Sequence, residues 1–238
     1  MNYYIVMAEK QEVFTIMGGR VKILRGPYNP TSDAVWVAAF ASGTPKTVLD
    51  VGTGTGGVAL CLMARIPDIQ MTALDVSQEM LDAAAENFKL NNKNADFINA
   101  DIMTWRTNKT FDLVITNPPY FKGTPANHNA HHNADLVEWT RRCIARVKPG
   151  GEFVTIIDMA ETVNVLTEMS RHHCGDFHVL PLFSKKDTAE RVLLSARVGR
   201  APHTTIYSGL SMNETKVLWD GMSIAEIWAI KNKMEQKL

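Results

Sequence analysis

Apolar and polar positions along the chain change period repeatedly, and each change predicts an element. EVFTIMGGRVKILR (12–25) alternates on either side of Gly18-Gly19, which predicts a hairpin with a two-residue turn. RGPYNP (25–30) breaks the pattern, and TSDAVWVAAFA (31–41) predicts a helix capped by Thr31 or Ser32. From residue 46 short apolar runs alternate with amphipathic stretches. Strands are predicted at TVLDV (47–51), MTALD (71–75), ADFINAD (95–101), FDLVITN (111–117) and EFVTIID (152–158). Helices are predicted at 56–66, 77–91 with Ser77 as cap, 135–147 and 161–173. DFHVLPLF (176–183) and RVLLSARV (191–198) follow with no helix between them, so they are expected to pair antiparallel. HTTIYSGLS and a helix around 214–235 form a tail. Strand–helix alternation predicts an α/β fold with a mostly parallel sheet covered on both faces.

The bulk numbers narrow the function. The chain has 238 residues, 45% hydrophobic and 21% charged, with a formal net charge of zero. That is an ordinary globular composition, and any nucleic-acid role must come from a local patch. Cys61, Cys143 and Cys174 lie far apart with no paired spacing, so they read as buried thiols in a reducing compartment. MNYYIVMAEKQE lacks the form of a signal peptide, and no run of 18 apolar residues occurs. A cytoplasmic protein without a membrane partner is expected.

The first strand runs into VLDVGTGTGG (48–57), with glycines 52, 54 and 56 between a strand and a helix. Glycine there lets the backbone turn sharply and approach a ligand, and the helix start offers free N–H groups. Gly52, Gly54 and Gly57 also satisfy the dinucleotide pattern G-x-G-x-x-G, so the loop alone predicts a nucleotide-type cofactor without choosing one. Asp75 ends the second strand, where an acid accepts from ribose hydroxyls or caps the next helix. Asp101 ends the third, as a second ligand acid or a polar strand end.

TNPPYF (116–121) directly follows the fourth strand. Its two prolines fix the backbone and donate nothing. The Asn117 side-chain oxygen and the Pro118 carbonyl are then left as acceptors at the strand's carboxyl end, where α/β sheets place ligands. A conjugated exocyclic amine has two N–H donors and a delocalised lone pair. Two fixed acceptors would hold those donors and favour a pyramidal nitrogen able to attack a methyl group. Tyr120 would stack on the flat substrate, worth about 1–3 kcal/mol. No general base is required.

Together, DVGTGTGG, the acids in ALD and NAD, and NPPY resemble the class I S-adenosylmethionine-dependent methyltransferases. The resemblance covers roughly residues 31–198. It implies a Rossmann-like, seven-stranded, mostly parallel sheet with an antiparallel last strand, flanked by the hairpin (1–30) and a helical tail (201–238) on a cofactor domain (31–200). It further implies S-adenosyl-L-methionine as cofactor, with Asp50, Gly52, Thr53, Gly54 and Gly56 near its methionine part. Asp75 and Val76 would stand at the ribose, Asp101 and Ile102 at the adenine, and Asn117 beside both cofactor and substrate. Asn117, Pro118, Pro119 and Tyr120 would carry catalysis. In this family NPPY marks methylation of a planar amino nitrogen, in a nucleobase or a glutamine amide.

Asp33-Ala34-Val35-Trp36-Val37-Ala38-Ala39-Phe40, with NPPYF, is most similar to the tRNA-valine adenine-37 N6-methyltransferase family, within the small methyltransferase domain group. This adds Asp33 to the cofactor contacts and implies RNA, tRNA above all, as the partner. KKDTAERVLLSARVGR (185–200) resembles that family's K-x-A-x-R-x-L segment, with Arg191 at its arginine. The family often carries A-R-H-E after NPPY, where this chain has Ala130-His131-His132-Asn133. Release-factor glutamine methyltransferases share NPPY but carry a larger helical segment ahead of the domain than residues 1–46 would hold. Phe121, His131, His132, Lys185, Lys186 and Arg191 are the candidate RNA contacts. Arg20, Lys22 and Arg25 with Lys185, Lys186, Arg191, Arg197 and Arg200 would make a basic patch if those faces meet. Arg141, Arg142 and Arg146 read as a solvated helix face. His-x-x-His-His at 128–132 has no companion ligand, so no metal is expected. The tail helix with Trp219 and Trp228 would dock on the domain or form a dimer face; the oligomeric state stays open.

Overall fold

A computed structural model describes residues 12–119, 129–184 and 187–235, with the backbone alone for 129–135 and 231–235. The hairpin strands β1 (Val13–Ile16) and β2 (Val21–Leu24) pair antiparallel, with Ile16 opposite Val21. Gly18 and Gly19 occupy the centre of the turn, closed by Arg20 N–H donating to the Met17 carbonyl at 3.2 Å. Helix α1 (Ser32–Phe40) begins beyond Thr31 and carries Asp33 in its first turn. Its last carbonyls are taken by the Arg65 guanidinium, which donates to Ala38 O and Ala41 O at 2.6 and 2.8 Å. A cation suits the negative end of the helix dipole.

The alternating segment forms β3 (Thr47–Val51), α2 (Gly57–Arg65), β4 (Gln70–Asp75), α3 (Gln78–Leu90), β5 (Asp96–Asn99), β6 (Phe111–Thr116), α4 (Asn129–Ile144), β7 (Val147–Asp158), α5 (Thr162–Arg171), β8 (Cys174–Phe183) and β9 (Arg191–Val198). Among the described residues the sheet order is β5-β4-β3-β6-β7-β9-β8. Strands β3 to β7 run parallel, and β9 inserts antiparallel between β7 and β8. The expected seven strands are thus present, with the last one reversed.

Two short strands extend the sheet beyond expectation. β10 (Thr204–Ile206) and β11 (Leu210–Ser211) both pair parallel with β8. Segments of three and two residues, largely exposed, carry too little pattern to read as strands. The tail also holds two helices, α6 (Thr215–Leu218) and α7 (Ile224–Glu235), where one was expected. The sequence did hold the signal for that break. Ser223 and Glu226 form a capping box: Ser223 N–H and Oγ–H both donate to Glu226 Oε2 at 2.7 Å, and Glu226 N–H donates back to Ser223 Oγ. Helix α4 starts six residues earlier than expected and stops before Val147, which pairs with Phe111 in the sheet.

Alternating strand residues feed two cores. Val48, Leu113, Ile115, Val154 and Ile156 pack beneath α1, α2 and the tail. Leu49, Val51, Val114, Phe153 and Ile157 pack beneath α4 and α5. Trp36, fully buried on α1, donates its indole N–H to Met212 O at 3.2 Å and so fastens the tail. His178, Tyr207 and Trp228 stack behind it. All three cysteines are free and buried. Among the described residues no helix is long and apolar enough to cross a membrane.

Candidate functional site

The chain lays β4 and β5 on one side of β3, then returns to lay β6 on the other. A crevice opens at such a switch point, outside the carboxyl ends of the strands. Here it is a cleft of about 390 Å³ walled by Gly52 to Thr55, Asp75, Val76, Asp101, Ile102 and Asn117 to Pro119. A volume of that order suits a small-molecule ligand.

The glycine loop is shaped by its neighbours. Gly52 N–H and Thr53 N–H both donate to Leu74 O, at 2.8 and 3.0 Å, so the loop hangs on the next strand. Gly56 has φ +85°, and a Cβ there would come within 2.9 Å of the Phe88 ring. Conformation and packing both demand glycine at that position. Gly57 is excluded from substitution by packing alone, since its Cβ would meet Pro30 at 2.5 Å.

The acids divide by task. Asp75 accepts from Gly54 N–H at 2.8 Å and from Ser77 N–H at 2.9 Å. It ties the loop to the start of α3 while still lining the cleft, so the capping and ligand alternatives are not exclusive. Val76 beside it is 70% exposed, an apolar surface at the cleft's edge. Asp101 accepts from Met103 N–H at 2.9 Å, and Ile102 is buried against the cleft floor. Asp50 stands behind the wall, fully buried. Its Oδ2 accepts from the Thr53 hydroxyl at 2.7 Å, while its Oδ1 lacks a partner of hydrogen-bonding geometry. Burial pushes its pKa up to about 7, against the Thr53 hydroxyl and the Ala59 amide. Asp33 and Gly56 do not line the cleft. Asp33 lies 3.6 Å from Arg191, which also pairs with Asp158 at 3.0 Å.

Asn117 and the two prolines close the cleft at the end of β6. The Asn117 side-chain oxygen is buried and without a hydrogen-bond partner among the described residues. An unpaired buried acceptor costs about 1–3 kcal/mol, so one at a cleft wall marks a place for a donor on a ligand. Tyr120, Phe121, Lys185 and Lys186 lie outside the described residues. His131 and His132 fall in the first turns of α4.

Arg191 and Arg197 stand near opposite ends of β9. Arg191 begins β9 opposite Asp158, whereas Arg197 near its other end sits opposite Glu152. Six residues of strand separate them by about 20 Å, and Arg197 is held by Ser42 and the Gly150 carbonyl. Arg146 lies past the end of α4. It donates to Thr107 O and Trp105 O and so holds a loop, whereas Arg141 and Arg142 pair with Glu138 on the helix, Arg141 the more exposed of the two.

Among the lining residues that the sequence reading did not single out are Tyr28, Pro30 and Trp139. Tyr28 and Pro30 come from the turn-rich break, and Tyr28 Cδ1 would lie 3.6 Å from a Cβ on Gly54. Trp139 comes from α4, packs its ring on Gly52, and donates to Thr116 Oγ1 at 3.2 Å. An aromatic inside an apolar helix pattern and a tyrosine between two prolines give no local sign of which way they face.

This fold and cleft define a class I methyltransferase-type α/β domain. The profile of the family described as "Methyltransferase small domain" matches residues 32–174, and the chain belongs to that family. A tRNA1(Val) (adenine(37)-N6)-methyltransferase from Glaesserella parasuis is 38% identical over 135 residues, covering 53% of this chain and 57% of that protein. A release factor glutamine methyltransferase from Streptococcus pneumoniae is 44% identical over 77 residues, 32% of this chain and 27% of that one. The chain thus spans little more than half the length of the first relative and about a quarter of the second. The solved structure of "a predicted O-methyltransferase" from Agrobacterium tumefaciens superimposes with a TM-score of 0.63 at 22% identity, covering 77% of this chain and 88% of that one, a likeness of fold.

Membership of this family implies S-adenosylmethionine as cofactor. The residues present fit it. Asp75 and Asp101 line the cleft, and no Lys, Arg or His does so among the described residues. That charge suits a ligand with hydroxyls and positive groups and no phosphate. Apolar Val76, Met80 and Ile102 offer surface to a flat ring beside the two acids. Among the described residues no three metal-ligand side chains converge.

Proposed function

We propose that the protein transfers a methyl group from S-adenosylmethionine to the exocyclic N6 of an adenine in RNA, with adenine 37 of a valine tRNA as the favoured target. The observation that carries this is the buried Asn117 oxygen, unpartnered among the described residues, beside two prolines that line the same cleft as the glycine loop. The cofactor supplies an electrophilic methyl group when bound. The chain's own residues do the rest. Gly54, Asp75 and Asp101 hold the cofactor, and Asn117 Oδ1 with the Pro118 carbonyl accepts hydrogen bonds from both N–H groups of the amine; once methylated, the cationic nitrogen releases its extra proton to solvent. Holding those protons fixes the nitrogen and turns its lone pair toward the methyl group. Tyr120 stacks on the base, which must leave its own stack first, a small cost in an anticodon loop. Phe121, His131, His132, Lys185, Lys186 and Arg191 contribute contacts to the RNA. Residues 31–200 form the catalytic domain, with 1–30 and 201–238 as flanks, and an RNA substrate points to work in the cytoplasm.

The same two acceptors would take a glutamine amide, and the match to a release factor glutamine methyltransferase favours that second reading. Labelled S-adenosylmethionine, offered to total RNA and total protein from cells lacking this chain, separates the two. N6-methyladenosine in the tRNA fraction by nucleoside mass spectrometry is the expected result. Label in rRNA would move the substrate, and label in protein with none in RNA would install the glutamine reading.

A further inference from the structure

Helix α3 buries an asparagine in its last turn. Asn87 is 1% exposed, a costly place for an amide unless every polar atom is matched. Its Oδ1 accepts from Leu24 N–H at 2.8 Å, and its Nδ2 donates to Thr55 O at 2.9 Å. One turn on, Asn91 accepts from Lys22 N–H at 2.9 Å and donates to Lys22 O at 2.6 Å. Arg25 N–H bonds Glu12 O across the hairpin, so the amides of Lys22 and Leu24 point to the free edge of β2. Four residues of helix rise about 6 Å, and two residues of strand about 6.6 Å. The two asparagines therefore clasp that edge in step. Only Asn87 also reaches the glycine loop.

The chain leaving β2 runs straight to the cleft, where Tyr28 stands over Gly54 and Pro30 presses on Gly57. We propose that Asn87 is a positioning residue for cofactor binding. Its amide locks the hairpin strand to Thr55 and thereby sets Tyr28 across the glycine loop as one wall of the cleft. The proposal rests on the cleft holding S-adenosylmethionine.

The test uses the full chain and S-adenosylhomocysteine as probe, with affinity by calorimetry and Tm measured for each variant. Asn87→Ala is expected to weaken binding at least tenfold at a temperature where it is folded. Asn91→Ala loses the same clasp without the loop link and should weaken binding less than threefold, whatever its Tm. Tyr28→Ala should weaken binding by itself, and Asn87→Ala added to it should cost less than a further threefold, because contacts in one chain of action are not additive. Equal affinities for the Asn87 and Asn91 variants would reduce Asn87 to a structural role. Full additivity with Tyr28→Ala would break the route. If Asn87→Ala does not fold, amide exchange in the wild type decides: linkage is reciprocal, so the probe must slow exchange at Leu24, and an unchanged rate overturns the proposal. A wild type that fails to bind the probe at all would instead overturn the assignment of the cleft, and the link with it.

Discussion

The two ends of the sheet both collect carboxylates, and Asp112 at one and Asp50 at the other are held in opposite ways. At the amino end Asp112 accepts from Lys46 N–H, Thr47 N–H, the Thr47 hydroxyl and Lys148. Glu152, nearby and buried, accepts from Ser42 N–H at 3.1 Å and the Ser42 hydroxyl at 2.9 Å, with Arg197 at 3.9 Å. At the carboxyl end Asp50 Oδ1 and Asn117 Oδ1 are buried without such partners. The pKa values separate Asp112 from Asp50, while Glu152, despite its partners, is raised by burial as Asp50 is. Against partial desolvation, Lys148 and the Thr47 amide and hydroxyl bring Asp112 down to about 2, while burial lifts Asp50 to about 7. Saturated polar groups stabilise the fold; the unsaturated Asn117 oxygen, unlike Asp50, lines the cleft, where a ligand donor completes it.

The largest effect should come from Asn117→Ala. If its oxygen serves the amine, methyl transfer should fall by about 10²–10³-fold while the affinity for S-adenosylhomocysteine changes little. Single-turnover rates on the RNA substrate and calorimetry give the two numbers. Loss of both together would place Asn117 in the cofactor site alone. Asp50→Asn comes next. A charged Asp50 keeps the Thr53 hydroxyl donating inward and leaves its lone pairs facing the cleft; an amide reverses that polarity. Probe affinity should drop about 10–100-fold, and in the wild type it should weaken as pH falls below about 7, where Asp50 takes up its proton. The stability of the free protein moves the other way. The folded pKa lies above the unfolded value of 3.8, so the contribution is fully present below about pH 4 and lost as pH rises to about 7. Free Asp50→Asn should match the wild type near pH 4 and melt higher at pH 8. Equal melting at both pH values would remove the strain from Asp50.

Much of this carboxyl end was legible in the sequence because local chemistry carries it. Glycines at 52, 54 and 56, acids closing two strands, and an Asn-Pro-Pro after a third each need only their own neighbours to be meaningful. Tyr28 and Trp139 were not legible, since their roles depend on which way a loop and a helix face after packing. The amino end was almost silent. Ser42, Asp112, Glu152 and Arg197 are far apart in sequence, and nothing in VKPGGEFV marks Glu152 as buried. The same limit hid the different partners of Arg191 and Arg197, which sit near opposite ends of one strand. The short strands β10 and β11 exist because β8 offers them an open edge, a tertiary cause with no local pattern.

Glu152→Ala tests the saturated end. It strips Ser42 N–H and its hydroxyl of their acceptor and leaves Arg197 without its buried partner. Stability should fall by about 1–3 kcal/mol, a Tm lower by about 2–10 °C for a domain of this size, with kcat on RNA unchanged once the variant is folded. A fall in kcat at constant Tm would mean the two ends are coupled and the contrast between them false.

The smallest effect belongs to Asp112→Asn, and its pH dependence matters more than its size. The Asp112 carboxylate is about a third exposed, so water screens its pairing with Lys148 and the loss at neutral pH should stay near or below about 1 kcal/mol. Its folded pKa is depressed, so the stabilisation is present above about pH 4 and lost as pH falls toward about 2. The melting temperatures of wild type and Asp112→Asn should therefore differ at pH 7 and converge at pH 2. Asp50 gives the mirror image, a wild type that gains relative stability in acid. Titration in opposite directions would show that partners stabilise the Asp112 carboxylate while burial strains that of Asp50. Parallel titration of the two would remove that difference.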